Sequence, residues 1–165
     1  MTVLETERLV LRRLRPEDGE AFDRWAADDE FQRHLGPRRP GREHIARHEA
    51  HWEAHGFGTL GVVWRATGKL VGRCGVQYHR AWPDDPEVGW SVDPDWWGRG
   101  IATEAGRAAI DWAFGDLGYE RVVSITTEEN VPSRRVMEKL GFRLLTTLDW
   151  EEWHLWIHAR DRPRP

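Results

Sequence analysis

The sequence has a single cysteine, Cys74, so no disulfide can form within one chain, and a lone thiol fits a reducing compartment. It has no apolar run long enough to cross a bilayer, and its first residues carry acids where a secretory signal would be basic and then apolar. The formal net charge is only −4, and charges of both signs are interspersed, which leaves no basic stripe for nucleic acid. These absences favour a cytoplasmic protein that binds neither membrane nor nucleic acid.

Tryptophan, in contrast, is abundant, with 11 among 165 residues. A Trp ring buries a large apolar area, so we expect most of these rings in the core or along a groove. The length suits one domain with a substantial core. We expect this domain over residues 1–160 and a disordered tail over residues 161–165; monomer and homodimer are both compatible with the pattern.

Hydrophobic periodicity and Gly/Pro positions predict the order of the elements. The predicted strands cover residues 8–12, 59–64, 70–78, 87–92, 121–126, 142–148 and 153–158. The predicted helices cover residues 16–28, 42–55, 100–114 and 133–140. Antiparallel hairpins come first and a strand–helix–strand–helix unit follows. This order predicts an α/β fold with a mixed, mostly antiparallel sheet and helices on both faces.

The most informative segment leads from the predicted strand 87–92 through Gly98-Arg99-Gly100 into an Ala-rich helix. The first N–H groups of a helix have no partner inside it, and the helix dipole adds partial positive charge there, so a glycine turn at this place suits a phosphate. A Walker loop would require Gly-Lys-Ser/Thr, which is missing. A dinucleotide-binding loop would require a glycine at position 103, where this sequence has Thr103. Its turn would also follow the strand directly, whereas here residues 94–97 lie between the strand and the glycines.

Residues 97–102, Trp-Gly-Arg-Gly-Ile-Ala, resemble the pyrophosphate loop of the GCN5-related N-acetyltransferases (GNAT), whose pattern is Gln/Arg-x-x-Gly-x-Gly/Ala. Trp97 replaces the usual Gln or Arg, a variant typical of the ribosomal-protein-alanine (RimJ/RimL-type) branch. Two further segments resemble that branch and follow the family's order. One is residues 6–18, with a first strand and then Pro-Glu-Asp, and the other is residues 130–142, Asn-x-x-Ser…Glu-Lys-Leu-Gly-Phe.

The resemblance implies the GNAT fold, in which the parallel strands 87–92 and 121–126 splay apart. Acetyl-CoA is the implied cosubstrate, and its pantetheine arm would pair with the strand backbone that the splay leaves open. The implied reaction is direct acetyl transfer to an amine in a ternary complex, with a protein N-terminal α-amine as the leading acceptor and a small amine as the alternative. The residues expected to contact acetyl-CoA are Val92, Trp97, Gly98, Arg99, Gly100, Ile101, Ala102, Thr103, Asn130 and Arg135.

Acyl transfer to an amine requires a group that removes a proton from the amine and a group that protonates the leaving sulfur. Ser133 is the candidate donor to the sulfur, because Met137, where many relatives carry Tyr, cannot donate a proton; the alternative role of Ser133 is a helix cap. Glu87, which relays the amine proton through water, and His79 are the candidate bases. The alternatives are a structural carboxylate for Glu87 and an ordinary loop residue for His79.

The histidines at positions 44, 48, 51 and 55 have helical spacing, which would suit zinc, but arginines surround them and no cysteine accompanies them. A solvated helix or a wall facing the acceptor is the better interpretation, and we expect no metal. Cys74 is expected to be a small core residue. Two other functions remain open: a non-catalytic acyl-CoA sensor or interaction module, and a nucleotide-binding protein that uses the glycine turn alone. Asn130 and Ser133 favour the enzyme, since a sensor has little need of them.

Overall fold

A mixed sheet of eight strands organises residues 3–165, the part of the chain that the computed structural model describes. The strands are β1 (Val3–Glu5), β2 (Leu9–Arg13), β3 (Thr59–Trp64), β4 (Lys69–His79), β5 (Trp82–Val92), β6 (Arg121–Thr127), β7 (Arg143–Trp150) and β8 (Trp153–Asp161). Their order across the sheet is β1-β2-β3-β4-β5-β6-β8-β7. Neighbouring strands are antiparallel except β5 and β6, which are parallel.

Five α-helices connect these strands in the described residues. They are α1 (Gly19–Ala26), α2 (Asp29–Gln32), α3 (Gly41–His55), α4 (Ile101–Phe114) and α5 (Val131–Lys139). Within residues 3–165, no helix is both long enough and apolar enough to span a membrane. The predicted fold class, a mixed α/β sheet with one parallel pair and helices on both faces, is confirmed.

Element boundaries differ from the prediction at several places. The predicted helix 16–28 is a 3-10 turn (Pro16–Asp18) followed by α1. The helix α2 begins separately, because the Asp28 carboxylate caps it by accepting a hydrogen bond from the Phe31 N–H at 2.9 Å. The strands β1 and the first part of β5 were not predicted. This first part of β5 contains prolines and does not pair with β6. Because its edge is unpaired there, the strand tolerates a residue that has no N–H.

One face of the sheet packs against α4. Its small residues Ala105 and Ala109 and the side chain of Ile110 are fully or almost fully buried against the strands. Val88 on β5 and Val122 on β6 belong to the same core, so the hydrophobic contact holds both parallel strands under α4 and α5. This packing fixes the position of the glycine turn, since the turn leads directly from β5 into α4.

The opposite face is covered by α1 and α3, which are packed very closely. A second apolar cluster joins Phe22 and Trp25 of α1 to Ile45 of α3. The two helix starts touch at Gly19 and Gly41, and a Cβ on Gly41 would overlap the Gly19 carbonyl oxygen. Glycine at position 41 therefore sets how α3 lies over the sheet.

Gly41→Ala should lower the free energy of unfolding by about 2 kcal/mol, because backbone atoms that cannot rotate away must shift to admit the methyl group. Urea denaturation of the purified protein measures this change. Glu43→Ala, an exposed change in the first turn of the same helix, should alter stability by no more than about 0.5 kcal/mol. Equal stability of the two variants would contradict the close helix contact.

Candidate functional site

The parallel strands β5 and β6 part almost as soon as they meet. Their only register pair in residues 3–165 is Glu87 with Val123. Beyond it, β5 stays fully paired with β4 on its other side, up to Val92 opposite Gly72. Within the described residues, the side of β5 that faces β6 therefore has no register partner after Glu87.

The hydrogen bonds identify which backbone groups face this opening. The Asp93 N–H donates to the Val71 carbonyl of β4 at 2.8 Å. Because backbone groups alternate along a strand, those of Val92, Trp90 and Val88 point the other way, toward β6. Backbone polar groups in a protein interior need partners, so this row is a candidate surface for a ligand that pairs like a strand.

Two of these carbonyls already have side-chain partners. The buried Ser124 hydroxyl donates to the Val88 carbonyl at 2.9 Å, at the point where the strands part. The Trp97 indole N–H donates to the Val92 carbonyl at 2.8 Å. For Val92 the N–H is therefore the group that remains for a ligand. Trp97 itself is 46% exposed and lies at the mouth of the opening.

Both glycines of the turn have a left-handed backbone. Gly98 and Gly100 have φ of +76° and +74°, values that favour glycine. Gly100 is the residue that precedes α4, and a glycine has no side chain that could cap the helix. The first intrahelical bond is Glu104 N–H to the Gly100 carbonyl at 3.0 Å, so in the described part of the chain the N–H groups of Ile101, Ala102 and Thr103 have no partner. This arrangement can bind an anion.

A carboxylate on α4 anchors the turn to the start of the chain. Glu104 accepts from the Thr6 hydroxyl at 2.6 Å and from the Arg8 side chain at 2.6 Å, and Arg8 also donates to the Arg99 carbonyl at 2.9 Å. Burial by itself would raise the pKa of Glu104, but these hydrogen bonds outweigh it and hold the pKa below its ordinary value. The Arg99 side chain folds back over the Trp96 ring, 4.5 Å from its centroid.

The residues after β6 prepare a second helix start beside the opening. Asn130 caps α5 by accepting from the Ser133 N–H at 3.3 Å, so the cap is Asn130 and not Ser133. In the described chain the half-buried Ser133 hydroxyl makes no hydrogen bond. Arg134 donates to the Glu128 carbonyl and lies 4.6 Å from the Trp156 ring centroid, whereas Arg135 is exposed.

Glu87 is a buried carboxylate at the parting of the strands. Its Oε2 accepts from the Gln77 amide at 3.2 Å, and the Thr59 hydroxyl donates to the Gln77 Oε1 at 3.1 Å, which fixes the orientation of that amide. Its Oε1 accepts no hydrogen bond within residues 3–165 and lies 3.6 Å from the position that a Cβ on Gly89 would take. One carboxylate oxygen is therefore held while the other faces the space above a glycine.

The structure does not bring His79 to this place. The His79 Nδ1 accepts from the Ala81 N–H at 3.1 Å in the turn between β4 and β5. His79 pairs with Trp82, five residues before Glu87 on β5, which corresponds to about 16 Å along the strand. The His79 ring is therefore hydrogen-bonded within the hairpin turn and lies far from Glu87 along the strand.

The histidines of α3 serve different purposes. His51 bridges two segments, since its Nδ1 bonds to the Phe57 carbonyl at 2.9 Å and its Nε2 accepts from the Tyr78 N–H at 3.0 Å. His44 and His48 face the Phe22 ring, and desolvation lowers the pKa of His48 to about 2. No group of three or more potential metal ligands is assembled within residues 3–165. Cys74 is fully buried, and this burial raises the pKa of its thiol to about 12.

Several residues of the site were not predicted from the sequence. Gln77 and Thr59, which orient Glu87, lie on two other stretches of chain, and nothing local marks them. Arg73 did carry a signal, because a charged residue in the middle of the run Val-Gly-Arg-Cys-Gly-Val is unusual for a buried strand.

Comparison with known proteins agrees with this geometry. Residues 8–143 match the family described as "Acetyltransferase (GNAT) domain". The N-acetyltransferase YoaA of Bacillus subtilis, itself uncharacterised, is 30% identical over 154 residues, covering 86% of this chain and 82% of YoaA. An acetyltransferase from Agrobacterium tumefaciens superposes with a TM-score of 0.87 at 28% identity, covering 98% of this chain and 95% of the other.

The same fold occurs in RimL, a ribosomal L7/L12 α-N-protein acetyltransferase solved in complex with coenzyme A. RimL has a TM-score of 0.80 over 97% of this chain and 98% of its own, but only 15% identity, so this likeness concerns the fold alone. The opening between β5 and β6, the uncapped start of α4 and the family match lead to one conclusion. The chain belongs to the GNAT family and is an acetyl-CoA-dependent N-acetyltransferase.

Proposed function

We propose that this enzyme acetylates the α-amine of a protein N-terminus by direct attack in a ternary complex, with Glu87 as proton acceptor and Ser133 as proton donor. A small amine is the alternative acceptor. The proposal rests on the Glu87 carboxylate, which lies where β5 and β6 part. Its Oε2 is bonded to Gln77, whereas its Oε1 has no hydrogen-bond partner within residues 3–165. A non-catalytic acyl-CoA sensor would have no use for a buried carboxylate with one oxygen left open.

The uncapped start of α4 suits the pyrophosphate of acetyl-CoA. Three adjacent N–H groups, those of Ile101, Ala102 and Thr103, lack partners among residues 3–165. The absence of a Cβ at Gly98 and Gly100 lets a phosphate approach the backbone. The backbone N–H and carbonyl of Trp90 and the N–H of Val92 would pair with the amides of the pantetheine arm. The Asn130 side-chain NH₂, which its capping role does not use, would serve the same arm.

The acceptor approaches the opening from the face that α1 and α3 cover. The side chains of Val88 and Trp90 pack toward α4, so the alternate residues Glu87 and Gly89 face the opposite layer. Acetyl-CoA, when bound, supplies an acetyl group activated as a thioester. A primary amine is mostly protonated near neutral pH, so Glu87 Oε1 takes its proton through a water above Gly89.

The leaving sulfur departs on the other side of the sheet, near α5. Ser133 occupies the first turn of that helix, and its hydroxyl has no competing protein partner among the described residues. Met137, one turn further along the same helix, is buried and cannot donate a proton. The hydroxyl at position 133 is therefore the donor available on this helix face.

Gly100→Asp should weaken coenzyme A binding by about tenfold or more, because the new carboxylate would repel the phosphate and accept from the N–H groups that bind it. Titration calorimetry measures this affinity. The matched control is Gly118→Asp, which has the same charge and nearly the same backbone φ, +73°, outside this site. Equal affinities of the two variants for coenzyme A would show that this turn does not bind the pyrophosphate.

The test of the proposed reaction is thiol release from acetyl-CoA with a lysine-free peptide that has a free N-terminus. The same peptide blocked at its N-terminus should give no release, and Glu87→Gln should lower kcat by roughly 10²–10⁴-fold with coenzyme A affinity unchanged. Equal release from both peptides rules out the α-amine as acceptor. A Glu87→Gln enzyme of normal kcat rules out the carboxylate as base.

Ser133→Ala should lower kcat by roughly 10²–10⁴-fold without loss of stability, because the α5 cap uses the backbone N–H of residue 133, which alanine retains. Asn130→Ala provides the contrast, since loss of the cap should cost about 1 kcal/mol in urea denaturation. A Ser133→Ala enzyme whose kcat stays within about threefold of the native value would show that the hydroxyl does not protonate the sulfur.

A further inference from the structure

The face of the β4–β5 hairpin that lies under α1 and α3 carries an unusual set of polar side chains. In the register, Arg73 lies opposite Ser91, and Gln77 lies opposite Glu87. These four residues and Gly89 point to the same side, because side chains alternate along a strand. We call this set the acceptor face. It extends from the proposed base toward the C-terminal end of β5.

Arg73 is partly buried on the acceptor face, yet it forms no salt bridge and donates no side-chain hydrogen bond within residues 3–165. Two other partly buried arginines, one in β2 and one just before it, have carboxylate partners. Arg12 pairs with Asp18 at 2.8 Å, and Arg8 pairs with Glu104 at 2.6 Å. A guanidinium that is largely removed from water and unpaired carries a desolvation cost that a bound anion would offset.

Glu87 does not provide this partner. Burial lowers the pKa of Arg73, and the negative charge of Glu87 opposes this effect. No contact within 4.0 Å joins the side chains of Arg73 and Glu87. The Glu87 Oε2 is already bonded to Gln77. The interaction between Arg73 and Glu87 is therefore one of charge at a distance, and the donors of the guanidinium stay available.

Ser91 adds a second unpartnered donor on the same face. Its side chain is 8% exposed, and its buried hydroxyl has no hydrogen-bond partner among the described residues. Buried hydroxyls are normally bonded, so an orphan one beside an unpaired guanidinium points to a ligand group that accepts from both. Next to them on α3, His44 and His48 add no charge near neutral pH, since desolvation and the charge of Arg73 lower the pKa of each.

We propose that Arg73 and Ser91 bind a carboxylate that the acceptor carries close to its amine. This inference deepens the proposed function and rests on it. A carboxylate accepts two parallel hydrogen bonds from a guanidinium, the geometry for which arginine is suited. Ser91 stands two residues beyond Gly89, about 7 Å along β5, so a group within one residue of the amine would reach it. The source is the α-carboxylate of a free amino acid or an acidic side chain at the start of a peptide.

The test compares matched acceptors that differ only in charge. One pair is a free amino acid and its α-amide, and the other pair is a peptide with Asp at its second position and the same peptide with Asn there. The native enzyme should have a kcat/KM at least about tenfold higher for the carboxylate member of one pair, because a site built for a charged group rejects a neutral isostere. The pair that discriminates identifies the source of the carboxylate.

Arg73→Gln should abolish this preference while coenzyme A affinity stays unchanged. The readout is the ratio of kcat/KM within each acceptor pair, because a change in the charge that faces Glu87 affects both members of a pair alike. Arg47→Gln is the matched control, since Arg47 is an exposed arginine of α3 and its loss should keep the preference. Ser91→Ala removes an orphan hydroxyl without leaving a buried group unpaired, so it should fold normally and reduce the preference in part. Calorimetry with the N-acetylated carboxylate product gives a readout apart from turnover, and Arg73→Gln should weaken this binding about tenfold.

Equal kcat/KM within both acceptor pairs for the native enzyme overturns the inference, and so does an unchanged preference in Arg73→Gln. These outcomes differ from a failure of the proposed function, in which no amine of the panel releases thiol from acetyl-CoA. Product binding that depends on Arg73 in the absence of turnover would support the carboxylate subsite even in that case.

Discussion

The separation of β5 from β6 after one pair of residues is the constraint on which this site depends. Parallel strands normally satisfy each other's backbone groups, and an open edge inside a protein is costly unless something else bonds to it. The protein supplies two substitutes, the Ser124 hydroxyl for the Val88 carbonyl and the Trp97 indole for the Val92 carbonyl. We assign the backbone groups between these two points to a ligand that pairs like a strand.

The sheet separates two kinds of chemistry. On the α4 side the polar groups are backbone N–H donors at an uncapped helix start, which suit phosphates of any nucleotide-bearing cosubstrate. On the side of α1 and α3 they are side chains, a carboxylate at Glu87 and a guanidinium at Arg73, which can discriminate among acceptors. Close packing at Gly19 and Gly41 holds α3 over this second side, so the proposed acceptor half of the site depends on a helix contact remote from the glycine turn.

Family membership and acceptor choice rest on different parts of the molecule. The family match establishes an acetyl-CoA-dependent N-acetyltransferase, and we assign acetyl-CoA to the opening between β5 and β6 and to the glycine turn. The acceptor half that we propose consists of the strand face of β4 and β5 and of α3, and the fold leaves these side chains open to variation. Arg73, which has no carboxylate partner among the described residues, provides a physical basis for the proposed selection of acceptors by charge.

The sequence by itself determined what depends on neighbours a few residues apart. Gly98 and Gly100 indicated a turn that suits a phosphate, and alternation predicted most strands. The glycine turn together with two more segments indicated the family. Only the tertiary structure decided which groups meet across the sheet. In the tertiary structure, His79 lies in a hairpin turn. Gln77 and Thr59 orient Glu87, and the Trp97 indole donates to the carbonyl of Val92. Register and helix packing set those contacts, and they join residues whose separation along the chain gives no sign that they will touch.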